Sequence, residues 1–121
     1  MTDFTQSILA NLRLAGQNAA PAWADTALSL PSIRVLNQSS KQLFRLYEGD
    51  GVYEQHYQIL LSYAPEGDIS QPENAILSAI EQLGLSLSLT QCAYDEKAKC
   101  MTKTYDCALL VQESNQTGGT P

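Results

Sequence analysis

His56 is the single histidine of the chain, so proton transfer near neutral pH would fall to it first. To act as a base it needs a nucleophile or carboxylate held against it, and the local candidate is Glu54, two positions away. That spacing places both on one face of a strand, where a surface or interface histidine is the preferred reading. The three cysteines, Cys92, Cys100 and Cys107, are odd in number and lack CxxC spacing, which argues against a disulfide framework and a structural zinc site. Cys107 should be buried and inert. Cys92 and Cys100, near a loop, should be exposed, with Lys97 and Lys99 as the nearby cations. The acids Glu48, Asp50 and Glu54, and again Asp95 and Glu96, gather at turns without the ligand spacing of a cation loop. Gly49, Gly51 and Gly67 do not join a strand to a helix with a lysine, as a phosphate cradle would. The expectation is a non-enzyme with no cofactor and no metal.

The elements that would carry these residues centre on 50–84. From Val52 to Tyr63 the residues alternate: Tyr53, Gln55, Tyr57, Ile59, Leu61 and Tyr63 share one face, and Glu54, His56 and Gln58 share the other. At about 3.3 Å per residue such a strand reaches roughly 40 Å, so it crosses a small domain or projects from it. Ser70 and Glu73 are spaced for a capping box, with Pro72 in the first turn, opening a helix that should bury Ile76, Leu77, Ile80 and Leu83. Gly84 should end it, with Leu85 folding back onto Ile80.

Before this unit, Asp3 offers an N-cap and Phe4, Ile8, Leu9 and Leu12 recur at helical spacing, predicting a helix over 4–15 that stops at Gly16. Residues 16–31 read as a connector with one helical turn after Pro21, and Trp23 as a core plug, with a partner-facing anchor as the competing reading. Ile33 and Val35, then Phe44 and Leu46, alternate on either side of the polar stretch 38–41, which predicts a hairpin of two strands. The Asp50-Gly51 neighbourhood supplies the next turn, and Phe44 and Leu46 should share the face of Tyr53 and Tyr57. Leu85, Leu87 and Leu89, then Tyr105, Cys107 and Leu109, alternate as a last pair of strands around a loop at 95–99. The register that aligns their apolar faces sets Tyr94 against Cys100, Leu89 against Tyr105 and Leu87 against Cys107.

The order α-β-β-β-α-β-β describes an α+β domain, a mostly antiparallel sheet of about five strands packed by two helices. The single domain should span 1–111, and the polar stretch 112–121 reads as a disordered tail. The chain has 121 residues and a formal charge of −6, which repels nucleic-acid backbones and anionic lipid, so neither is an expected partner. No apolar run is long enough for a membrane span or signal peptide, and synthesis in the cytoplasm is expected. Tyr47, Tyr53, Tyr57 and Tyr63 crowd the central strands, and tyrosine suits both cores and interfaces. Glu48, Asp50, Tyr53 and Tyr57 are therefore the candidate oligomer or partner interface. Packing of Tyr53 on Leu46 within the sheet is the competing reading.

The run from Ile33 through Gln42-Leu43-Phe44-Arg45-Leu46-Tyr47-Glu48-Gly49-Asp50-Gly51, then Tyr53-Glu54-Gln55-His56-Tyr57, the capped helix, Gln91-Cys92-Ala93-Tyr94-Asp95 and Cys107-Ala108-Leu109-Leu110-Val111 carries a resemblance. It resembles the minor capsid or tail-terminator proteins of siphophages and prophages of Gram-positive bacteria, over about residues 1–111. The connector 84–86 is shorter than the loop many relatives carry. The resemblance implies a structural virion protein at the head-tail junction, assembled in the bacterial cytoplasm. It would form a ring, commonly hexameric, that caps the tail tube and meets tail tube protein on one side and head-connector proteins on the other. It implies no catalytic residues. The alternative from another class is a small cytosolic ligand-binding module or enzyme with a tyrosine-lined pocket between sheet and helix.

Overall fold

A computed structural model describes residues 4–24, 27–45 and 51–113; for 39–45, 51–53, 89 and 110–113 it describes the backbone. Two helices pack on one face of a five-stranded sheet. The elements are α1 (Thr5–Leu14), β1 (Asn18–Pro21), β2 (Ser32–Arg45), β3 (Gly51–Tyr63), α2 (Ser70–Gln82), β4 (Ser86–Asp95) and β5 (Cys100–Glu113). The strand order is β1-β2-β3-β5-β4, with β1 parallel to β2 and every other pair antiparallel. This is the expected α+β class and element order, reached with differently divided strands.

The helices form for the reasons the periodicity gives. In α1, Thr5, Ile8, Leu9 and Leu12 fall on one stripe and are buried. In α2 the buried stripe is Pro72, Ile76, Ala79 and Ile80; Leu77, expected inside, lies past its edge and is exposed, while the small Ala79 lets the helix sit close. Both helices end in the same way. Gly16 and Gly84 take φ of 82° and 73°. The next residue's N–H then reaches back to the turn before, Gln17 to the Leu12 carbonyl at 3.1 Å and Leu85 to that of Ile80 at 3.0 Å. These are Schellman closures, and the left-handed φ is what lets the chain turn back on itself.

The start of α2 departs from the expected capping box. Ser70 is the first helical residue, and its N–H and Oγ both donate to Asp68 Oδ1, at 2.9 and 2.7 Å. The Glu73 N–H is satisfied by the Ile69 carbonyl, which frees the Glu73 carboxylate for other partners. Asp3 lies outside the described residues, and Phe4 occupies the cap of α1, its N–H donating to Tyr57 Oη at 2.8 Å.

Three strand expectations are corrected. The stretch 16–31 contains β1, which pairs Asn18 with Ser32 and Pro21 with Val35. Buried Ala19 fits under α1 because it is small, Ala20 is buried on the other face, and the chain then turns outward at Pro21–Ala24, held by Arg34 Nη1 donating to the Ala24 carbonyl at 3.1 Å. Trp23 sits on that turn, 80% exposed, and is no core plug. The polar residues 38–41 do not turn: β2 runs straight through them, because β3 offers backbone partners along its length. Register shifts at 37/39 and 42/44 absorb the misfit, and Phe44 pairs with Val52, off the face of Tyr53 and Tyr57 that it was expected to share. The proposed turn residues 46–50 lie outside the described residues.

At the other side of the sheet the expected register holds at Leu87↔Cys107 and then slips by one, so that Thr90 pairs with Tyr105 and Asp95 with Cys100. A bulge at Ser88 takes up the extra residue, its Oγ donating to the Asp106 carbonyl at 3.0 Å. The slip tightens the following loop to 96–99, where Asp95 Oδ1 accepts the N–H groups of Lys97 and Ala98 at 3.0 and 3.2 Å and Lys99 takes φ of 53°. β5 continues through Glu113, two residues into the expected tail, since Val52 and Gly51 pair with Gln112 and Glu113.

The core lies between the helices and the inner sheet face: Ile8, Leu9, Leu12, Ile33, Val35, Tyr57, Ile59, Leu61, Ile76, Ile80, Tyr105 and Cys107. Of β2, β3 and β5, the described core residues sit at 33–35, 57–61 and 105–107. β1 stops at Pro21 and β4 begins at Ser86, opposite Ala108, so past His56 only β2, β3 and β5 continue, as a three-stranded arm ending at Arg45, Gly51 and Glu113.

Candidate functional site

The titratable groups that the fold brings together are Glu73 on α2, Tyr63 on β3, Cys92 on β4 and Lys103 and Tyr105 on β5. Residues 63, 101, 103 and 105 face α2, and the slipped register sets Cys92 opposite Lys103. Lys103 Nζ pairs with Glu73 Oε2, which also accepts a hydrogen bond from Tyr105 Oη at 2.6 Å. The Lys103 ammonium lies 5.3 Å from the centre of the Tyr105 ring.

The electrostatics of this cluster hold Glu73, Lys103, Tyr105 and Tyr63 in their resting charge states. Hydrogen bonds from Lys103 and Tyr105 keep the Glu73 carboxyl below the usual carboxylate range. Its bond to Glu73 holds the Lys103 ammonium up. Burial, then the Glu73 carboxylate, pushes the Tyr105 phenol far up, and burial followed by the Cys92 neighbour raises Tyr63. A general acid or base works best with a pKa near the working pH, and here Glu73, Lys103, Tyr105 and Tyr63 move away from neutrality. The arrangement is a clamp: it ties α2 to β5 across the edge of the core.

His56 sits on the outer sheet face with Nε2 at 2.5 Å from Glu54 Oε1, a partly exposed pair of the kind two-residue spacing gives on a strand. Cys107 is buried, its Sγ donating to the Tyr57 carbonyl at 3.6 Å, and burial pushes its thiol up to about 11. Cys92 is exposed as expected, whereas Cys100 is buried at the start of β5. Among the described residues no group of three or more His, Cys, Asp or Glu is placed to hold a metal. No helix among them is long and apolar enough to cross a membrane.

Of the expected interface residues, Glu48 and Asp50 lie outside the described residues, and Tyr53 is described by its backbone, paired with Gln42 and Val111. Tyr57 is corrected outright: it is fully buried, donating from Oη to Gln55 Oε1 at 2.7 Å and accepting from the Phe4 N–H, so it joins β3 to the start of α1. A tyrosine facing inward at mid-strand reads the same in sequence whether a helix or a partner covers it.

The chain matches no family model and no curated protein. Grooves of about 480, 410 and 310 Å³ open beside Gln17 and Gln71, beside Glu54 and Ser86, and between Leu14 and Gln82; none of these three is lined by a tyrosine. The residues that sequence reasoning missed are Glu73, Lys103 and Tyr105, set together from elements thirty residues apart. The alternation of Lys103 with Tyr105 on the inward face was the available signal, since a lysine there needs an acid partner.

Proposed function

We propose that the chain is a structural assembly protein of a phage or prophage tail, a ring-forming terminator at the head-tail junction that caps the tail tube and meets the head connector. The observation that supports this is the arm: three strands carry on past β1 and β4 and offer open backbone edges to a neighbour. A self-contained domain gains little from a sheet extended beyond its core. The clamp geometry of Glu73, Lys103 and Tyr105 fits a protein whose task is to hold shape. The sequence resemblance supplies the identity of the ring and its neighbours, tail tube and connector proteins, and the negative charge suits a channel through which DNA slides without sticking.

The test is assembly. Mass measurement against concentration and negative-stain microscopy should show closed rings. Tyr53→Ala and Asp50→Lys should each shift the mass toward monomer, with Asp50→Lys changing stability by no more than about 0.5 kcal/mol. In a phage lacking this gene, tails of unregulated length are expected. A monomer at every concentration, together with normal tails in the deletion, would sink the reading.

A further inference from the structure

Apart from the bulge at Ser88, the edge strand β4 lacks the devices that normally blunt a sheet edge. From Ser86 to Tyr94 it carries no charged residue, no proline and no glycine, and outside position 89, described by backbone, its side chains are exposed. The opposite edge is blocked: β1 is four residues long and ends at Pro21, and β2 beyond it is twice bulged. The helix layer also stops short of β4. Leu77 on α2 is 40% exposed, Leu87 43% and Tyr94 53%, an apolar margin along the strand.

The geometry points to β4 as the site where a second copy of this chain adds its own β4, antiparallel about a two-fold axis, to make one ten-stranded sheet. An isologous contact is the one this edge favours, because the opposite edge is blocked and the β5 edge left open along the arm spans only 109–113. The bulge at Ser88 leaves 89–95 as the regular stretch, and its midpoint is Cys92. An axis there pairs Cys92 with its own copy, Thr90 with Tyr94 and Leu89 with Asp95. The same register lays Lys97 and Lys99, whose turn also carries Asp95 and Glu96, beside the partner's residues 85–87, directly after the C-terminal end of α2. That end holds Glu81 and has no basic residue in its last turn to answer the helix dipole. For a chain of charge −6, the uncharged edge flanked by this exchange is a surface on which two copies can meet. A strand edge alone is small against the roughly 800 Å² per partner of a stable interface, and the exposed Leu77, Leu87 and Tyr94 supply the remainder. The inference goes beyond the ring reading and does not rest on it, since the ring is argued from the arm.

The test uses the full chain. Sedimentation should show a concentration-dependent dimer, and a short bismaleimide or mild oxidation should trap it through Cys92. Cys92→Ser should abolish the cross-link and leave the dimer. Thr90→Cys in the Cys92→Ser background should cross-link at least tenfold more slowly, its mate lying four residues off along the pair. Gln91→Lys with Ala93→Lys, both at exposed positions, should leave the chain folded and abolish the Cys92 cross-link. Lys97→Glu with Lys99→Glu should weaken dimerisation about tenfold, and Glu81→Lys should restore it. Unchanged Cys92 cross-linking in the Gln91→Lys, Ala93→Lys variant, or equal cross-linking at positions 90 and 92, overturns the proposal and leaves the arm-based reading standing. A wild-type monomer whose β4 edge binds an added extended peptide overturns it in favour of a foreign strand.

Discussion

Glu73 is a single carboxylate that two donors from another element compete to satisfy, and its pH response follows. Its folded pKa is lowered, so its contribution is present above the ordinary value of 4.5 and is lost as pH falls through the folded one. Lys103 and Tyr105 are both raised. What they contribute is complete below 10.5 and 10.0 and is lost as pH rises toward their folded values. Stability should therefore decline at both extremes, and Glu73→Gln should flatten both limbs of a melting-temperature profile. At neutral pH that substitution should cost about 1 kcal/mol, the range of a charge-assisted hydrogen bond partly screened by solvent. Unchanged limbs in the variant would show that the clamp does not couple α2 to β5. At this scale the sequence was a poor guide: it identified His56 and Glu54 as neighbours, since strand spacing alone decides that, but it could not bring Glu73 to Lys103, which depends on how α2 lies over the sheet.

Elements were far more legible where their signals were local. Both helix ends were marked by a glycine whose left-handed φ no other residue adopts cheaply, and at neither would an added Cβ meet an atom within 4 Å. Gly84→Ala should accordingly cost about 1 kcal/mol through backbone strain alone, and Lys99→Gly, at φ of 53°, should be neutral or stabilising by up to about 1 kcal/mol. Chemical denaturation of the two variants measures both, and a larger loss in Lys99→Gly than in Gly84→Ala would refute the strain argument. Elements were illegible where pairing overrides propensity. Residues 38–41 are polar enough for a turn, yet on an edge whose partner strand continues, polar side chains cost nothing and backbone pairing wins. β1 was invisible because four residues, Asn-Ala-Ala-Pro, carry no strand pattern at all. The bulge at Ser88 shifted a register that side-chain alternation had aligned, since alternation cannot count an extra residue.

For the whole molecule, the order of strands in space differs from their order along the chain in one place: β5, the last made, lies beside β3, and β4 touches the sheet only through it. This carries a consequence for biosynthesis. While the ribosome is still adding residues 100–113, β4 has no neighbour to pair with and β3 has one open side, so the sheet can nucleate only from β1, β2 and β3 with α1 across them. The final strand then completes both halves at once, burying Tyr105 and Cys107 against the waiting core. A nascent chain stalled after residue 99 should be readily digested by protease and should expose β3 amides to exchange, whereas one released through residue 113 should be resistant. Protection of the β3 amides at the earlier stall point would mean that the core closes without its last strand.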